Sequence, residues 1–213
     1  VLVVEDNADL RAFIIESLGE EFHFLEAENG RQGFDVATTE IPDLIICDVG
    51  AHKLWMARMF PCETPNCCII SNGFAAMGIA LPGAVAAKLL YPERNVIAVT
   101  GDGGFLMNSQ ELETAVRLLL PLVVLVWRDN GYGVIRWKQM VRFGRSASVE
   151  FGNPDLVRYA ESFGARGFRV SDGSELNSVV SEALQSAVPV VIDCAVDYEE
   201  NLRLTDRLTL FRS

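Results

Sequence analysis

The stretch Asn95-Val96-Ile97-Ala98-Val99-Thr100-Gly101-Asp102-Gly103-Gly104 decides how the rest of this 213-residue chain is read. Its first six residues enclose the apolar run Val96-Ile97-Ala98-Val99 and are largely β-branched, which predicts a strand over 95–100 buried on both faces. The glycines then turn the chain, and apolar periodicity over 109–120 predicts a helix. A buried strand, a glycine turn and a helix form the first half of a βαβ unit.

The same alternation runs outward in both directions. Upstream, strands are expected at 1–4, 22–27, 44–49 and 67–71, with helices at 9–20, capped by Asp9, and at 31–39, 52–60 and 75–90. The last of these is interrupted at Pro82-Gly83. Downstream, strands are expected at 122–127, 167–170 and 188–195, with helices at 154–163 and 174–187. Continuous apolar strands separated by helices imply a parallel sheet covered on both faces. The fold class is α/β, a three-layer α/β/α arrangement around a doubly wound, mainly parallel sheet. There is no internal repeat or low-complexity tract, and the polar tail from Tyr198 is expected to wander.

Composition excludes some classes of function. With 18 Lys plus Arg against 29 Asp plus Glu, the net charge is −11. That opposes a nucleic-acid surface, which needs clustered cations. No apolar run reaches the roughly 18–20 residues that span a membrane. The chain opens at Val1 with neither Met nor an apolar leader, which suggests a trimmed or internal piece. Five cysteines (Cys47, Cys62, Cys67, Cys68, Cys194) form no CxxC pair, and free thiols in a reducing cytoplasm are the expectation. Residues 1–49 carry two basic and twelve acidic side chains, a net −10, so nearly all the acidity lies in the first quarter. Such a step suggests two pieces of different history, or one acidic face.

Two acidic constellations carry candidate chemistry. Glu5 and Asp6 end the first predicted strand, and Asp48 ends the third. Ligands gather at the carboxyl ends of parallel strands, and three carboxylates there suit Mg²⁺. An aspartate beside bound Mg²⁺ can accept a phosphoryl group; solvated loop acids are the plainer alternative. The second constellation is Gly101-Asp102-Gly103-Gly104 with Asp129, 27 positions later. The glycines let backbone N–H groups approach an anion, although ordinary turns use the same residues. Adjacent strand ends lie about 5 Å apart. Asp102 and Asp129 can therefore reach one Mg²⁺, with the Gly131 carbonyl as third ligand, and diphosphate oxygens and water completing the shell.

Val1–Val4 with Glu5-Asp6-Asn7, together with Pro42-Asp43-Leu44-Ile45-Ile46-Cys47-Asp48-Val49, resembles the first three strands of a response-regulator receiver domain. The resemblance implies Glu5 and Asp6 as metal-binding acids, Asp48 as phospho-acceptor and a histidine kinase as partner. It stops at residue 49. Gly50-Ala51-His52 replaces the usual Met-Pro loop, Ser71 is the nearest match to the later hydroxyl residue, and Thr100-Gly101-Asp102 stands where a lysine is expected.

The GDG followed by Arg128-Asp129-Asn130-Gly131-Tyr132 resembles the thiamine diphosphate fingerprint, in which an Asn-Asn pair follows the GDG. Asp129 takes the place of the second Asn and keeps a hard oxygen ligand; Asn130 is the substitute if the alignment slips by one. From Asp48 onward the chain is similar to acetolactate synthase. The resemblance is carried by the run Asp48–Arg58, by Ser71-Asn72-Gly73, Met77–Pro82, Gln110–Ala115 and Asn153–Ala165, and by Pro189–Asp193. Val196-Asp197-Tyr198 is similar to the catabolic, flavin-free branch.

This second resemblance implies thiamine diphosphate and Mg²⁺ as cofactors. Gly50 and His52 would lie near the diphosphate, and Met77, otherwise an ordinary core methionine, beneath the thiazolium ring. Gly101, Asp102, Gly103, Gly104, Asn130, Gly131 and Tyr132 complete the cofactor set. The family's cofactor sites lie between subunits, so association of copies is expected. In the family a glutamate from a separate pyrimidine-binding domain activates the cofactor. No such domain is legible here, so the chain is expected to bind the cofactor but to be catalytically incomplete alone. The two resemblances together imply a chimera joined at Asp48-Val49, a hybrid of flavodoxin-like and thiamine-diphosphate-binding folds. Residues 1–49 would be one segment and 50–213 the other, in one continuous sheet, either engineered or a product of gene fusion. The competing functions are a phospho-accepting signalling module and a structural chimera without activity.

Overall fold

A computed structural model describes residues 2–4, 7–18, 25–27, 43–62 and 65–198. The chain divides into two compact units, Val1–Pro42 and Asp43–Ser213.

In the first unit, β1 (Leu2–Val4) and β2 (Leu25–Ala27) pair in parallel, with α1 (Ala8–Leu18) between them in sequence. The cap of α1 is Asn7, not Asp9: its Oδ1 accepts from the amides of Asp9 and Leu10 at 3.0 and 3.1 Å. An oxygen one position before the helix reaches the free first-turn N–H groups, whereas Asp9 already lies inside the helix. The predicted turn 28–30 and helix 31–39 fall outside the described residues.

The second unit is a six-stranded parallel sheet in the order β4-β3-β5-β6-β8-β7. Its strands are β3 (Leu44–Cys47), β4 (Cys68–Ile70), β5 (Val96–Gly101), β6 (Val123–Arg128), β7 (Arg166–Val170) and β8 (Val190–Ala195). The helices between them are α2 (Ala51–Met59), α3 (Ala80–Leu90), α4 (Asp102–Asn108), α5 (Glu111–Arg117), α6 (Gly133–Phe143), α7 (Leu156–Ser162) and α8 (Leu176–Leu184). Side chains alternate along the central strands between two cores. Leu44, Ile46, Val96, Ala98, Val124 and Val126 face Ala84 of α3, Phe105 of α4, Leu112 of α5 and Leu156 of α7. Ile45, Cys47, Ile97, Val99 and Leu125 face Met56 of α2 and Ala183 of α8. The three-layer, doubly wound α/β architecture is therefore the observed one.

One continuous sheet is not what the described residues form. β3 is flanked by β4 and β5, both downstream of it, so neither of its edges is open to β1 or β2, which pair with each other. The strand read as the third of a receiver thus belongs to the larger unit, whose boundary falls before Asp43.

Two further expectations change. The helix expected over 75–90 begins only at Ala80 and is not interrupted, because Pro82 lies in its first turn, where no amide is needed. Residues 75–79 form a loop in which Ala75 and Gly78 take φ of 53° and 88°. The GDGG segment is not a loop: α4 starts at Asp102 itself, with α5 following where a single helix was expected.

Candidate functional site

The sheet has its switch point between β3 and β5. The chain leaves β3 through α2 on one face and reaches β5 through α3 on the other, so a crevice opens above the two carboxyl ends. A cavity of about 420 Å³ occupies it. Gly50, His52 and Lys53 line it from the start of α2, Met77 from the loop before α3, and Gly101, Gly103 and Gly104 from the β5–α4 junction. Tyr132, Ile135, Trp137 and Lys138 close it from α6 and the residue before it, and Tyr198 from the chain after β8. Every predicted cofactor residue upstream of β6 except Asp102 therefore lines one cavity, and Asp102 sits in its wall between Gly101 and Gly103.

Absence of side chains shapes that wall. A Cβ on Gly103 would meet the Tyr132 ring at 2.9 Å, and one on Gly104 would meet Thr100 Oγ1 at 2.9 Å and the Asp48 carboxylate at 3.1 Å. The backbone can come close to a ligand there because nothing stands on it.

The β5–β6 register sets Gly101 opposite Trp127, which brings Asp102, one residue after Gly101, and Asp129, two residues after Trp127, to neighbouring strand ends. Asp102 is 1% exposed. Its Oδ1 accepts from the Gly103 amide at 2.9 Å; its Oδ2 accepts from the Asn130 amide at 2.8 Å and from Asn153 Nδ2 at 2.7 Å. Asp129 ion-pairs with Arg136 at 3.2 Å. Burial first, and then the Asp102 charge, push its carboxyl up to about 6, with Arg136 and nearby backbone amides pulling the other way. Two carboxylates that repel each other away from solvent are what a divalent cation would relieve. Among the described residues no three His, Cys, Asp or Glu side chains form a metal cluster. A third protein ligand must then come from elsewhere, and the Gly131 carbonyl is the candidate. Arg128, at the place of the family's first Asn, turns to Asp193 instead, at 2.7 Å.

His52 is 1% exposed, and its Nε2 has no hydrogen-bond partner among the described residues. Burial lowers its pKa to about 4 against the Asp48 carboxylate and a hydrogen bond to the Asp48 backbone, so the ring is neutral at pH 7. A buried polar atom without a partner beside a glycine-walled cavity fits a site that receives a polar ligand.

Of the three receiver-like acids, only Asp48 lies among the described residues, and Glu5 and Asp6 lie outside them. Asp48 is 1% exposed and saturated: Oδ1 accepts from the amides of Val49 at 2.6 Å and Gly78 at 2.9 Å, and Oδ2 from Ala80 N and Thr100 Oγ1, each at 3.2 Å. It acts as a remote cap for α3, whose own N-cap residue, Ile79, has no side-chain acceptor. A carboxylate so enclosed has neither access nor a free lone pair for a phosphoryl donor.

Some cavity residues were not singled out from sequence. Tyr198, read from sequence only as part of the Val196-Asp197-Tyr198 motif, packs its ring against Trp55 at 5.0 Å between centroids, and Trp55 packs against Trp127 at the same distance; the tail beyond it lies outside the described residues. Helix α6 was not predicted, although Gly144, left-handed at φ 66°, is a normal helix-stop signal. Asn153 was legible only as part of a longer motif. Cys67 lies one residue before β4, which begins at Cys68, and its carbonyl accepts from the Ile45 amide of β3 at 2.8 Å.

Residues 48–194 match the family model described as thiamine pyrophosphate enzyme, C-terminal TPP binding domain. The chain is 45% identical over 165 residues to acetolactate synthase of Bacillus subtilis, covering 77% of this chain and 29% of that protein. It is 39% identical over 176 residues to the catabolic acetolactate synthase of Raoultella terrigena, covering 83% and 31%. Against a probable acetolactate synthase large subunit of Methanococcus aeolicus it is 36% identical over 156 residues, covering 72% and 26%. The chain thus spans less than a third of the length of each of these relatives.

Proposed function

This chain belongs to the thiamine pyrophosphate enzymes, through their C-terminal TPP-binding domain, and from that premise we propose that it binds thiamine diphosphate with Mg²⁺ in the crevice above β3 and β5. The carrying observation is the Asp102–Asp129 pair beside a cavity walled by glycine backbone. Asp102, Asp129 and the Gly131 carbonyl hold the cation. The first amides of α2, with Gly50 and the neutral His52, face the diphosphate, and Met77 supports the ring system. Asn130, Gly103, Gly104 and Tyr132 shape the surrounding wall. When bound, the cofactor supplies an electron sink for cleaving and forming bonds next to a carbonyl. The residues of this chain bind and orient it and exclude water.

The relatives named above support acetolactate-synthase chemistry, the decarboxylation and carboligation of pyruvate, as the reaction this domain serves. These 213 residues alone are proposed to be incomplete for it, because a partner domain must reach the pyrimidine end of the cofactor. Association of copies and a reducing cytoplasmic setting belong to the same reading; all five cysteines are free, and among the described residues no helix is long and apolar enough to cross a membrane. For the first unit, a receiver-like origin and a chimeric join without phosphoryl acceptance are proposed from its sequence resemblance; its parallel β1–α1–β2 arrangement is one that many α/β folds share. Whether one genome encodes the uninterrupted reading frame tests that join.

The deciding experiment is calorimetric titration of thiamine diphosphate with Mg²⁺ into the chain and into Asp102→Ala. Binding that requires Mg²⁺ and is lost in the variant is expected. Equal heats from both proteins would remove Asp102 from the site. Acetolactate formed from pyruvate by the chain on its own would contradict its incompleteness.

A further inference from the structure

We propose that Asn153 is a positioning residue of the cation site: its amide nitrogen fixes the Asp102 carboxylate, and its amide oxygen accepts a hydrogen bond from a water on the cation. This rests on the reading of Asp102 and Asp129 as cation ligands.

Asn153 reaches the site because the segment after α6 is clipped against the loop after β6. Gly131 bridges Glu150, Tyr132 N donates to Val149 O at 2.8 Å, and Phe151 N donates to Asn130 O at 3.2 Å. Two residues beyond this clip, Asn153 Nδ2 donates to Asp102 Oδ2 at 2.7 Å and to Asn130 Oδ1 at 2.9 Å. Asp102 Oδ2 also takes the Asn130 amide, so both of its lone pairs are engaged. Oδ1 accepts only the Gly103 amide among the hydrogen bonds found and keeps one lone pair for a cation. One asparagine thereby selects which oxygen of Asp102 is free.

The other end of the same amide is the second observation. Asn153 Oδ1 is buried and has no hydrogen-bond partner among the described residues. Flipping the amide gives no relief, because it would set that oxygen against two acceptors, Asp102 Oδ2 and Asn130 Oδ1. A buried acceptor is costly until something donates to it. Magnesium usually retains several of its waters, and a water polarised by a divalent cation is a strong donor. Such a water satisfies Asn153 without adding a protein ligand.

The test is Mn²⁺ affinity at saturating thiamine diphosphate, read from the paramagnetic resonance of free Mn²⁺, in the full chain and in Asp102→Ala, Asn153→Ala and Asn153→Asp. Asn153→Ala is expected to weaken Mn²⁺ about tenfold, the usual effect of losing a group that orients a metal ligand. Asn153→Asp keeps the acceptor, loses the donor and places a charge beside Asp102. It should lower the melting midpoint without cation, and Mn²⁺ should raise that midpoint by more than in the parent chain. Wild-type Mn²⁺ affinity in both Asn153 variants, with binding lost in Asp102→Ala, would overturn this role and leave the cation site standing. Failure of the parent chain to bind, or undiminished binding by Asp102→Ala, would overturn both. Should Asn153→Ala fail to fold, the cation response of Asn153→Asp decides.

Discussion

A carboxylate that accepts from Val49, Gly78, Ala80 and Thr100 is spent on structure, so Asp48 should behave as a buried cap. Acetyl phosphate should leave the chain unlabelled by mass spectrometry; a label that vanishes in Asp48→Asn would restore the phospho-acceptor reading. Asp48→Ala orphans two buried amides at the start of α3 and should cost about 3 kcal/mol in urea unfolding. His52 contributes the pH dependence. Its folded pKa of about 4 lies below its ordinary 6.5, so between those values the unfolded chain binds the extra proton. Stability from this group is complete above pH 6.5 and falls as pH drops toward 4, by up to about 3 kcal/mol. Urea midpoints across that window should fall less steeply in His52→Gln than in the parent; parallel curves would refute the assignment.

Among elements, the loop between β4 and α3 shows how backbone conformation places a residue in the cavity wall. Met77 reaches the cavity because the chain turns at Gly78, φ 88°, just before Ala80 starts the helix. A Cβ there would meet Asn108 Nδ2 at 2.7 Å and Met107 at 3.0 Å. Gly78→Ala combines that contact with a left-handed conformation costing an L-residue about 1–2 kcal/mol. It should lower the melting midpoint and weaken cofactor binding together. The same loop explains the misplaced start of α3: apolar periodicity runs on through residues 75–79, but a positive φ at Ala75 and Gly78 breaks the helix where no proline marks it.

At the scale of the molecule, the larger unit supplies both neighbours of β3 and, among the described residues, those that line the cavity. Residues 43–213 alone should therefore bind thiamine diphosphate and Mg²⁺ as the full chain does, measured by calorimetry; lost binding would show that the first 42 residues support the site. Because the ligand binds only the folded state, a hundredfold excess over Kd should stabilise either form by about 2.7 kcal/mol. EDTA should reverse that gain.

Sequence by itself determined what depends on local pattern. The parallel α/β class follows from buried runs such as 95–100 and 122–127, and Asp102 with Asp129 from strand ends that carry their acids at a recognisable spacing. It also specified Gly50, His52 and Met77, through motifs whose residues now line one cavity. Tertiary structure alone decided the rest. Asp48 ends an apolar strand whether it caps a distant helix or accepts phosphate, and only the amides of Gly78 and Ala80, thirty residues on, separate the two. The pairing of β3 with β4 and β5 and the approach of Asn153 to Asp102 likewise join segments far apart in the chain. A local reading carries the propensities of each segment, but not which partner wins when several can pair.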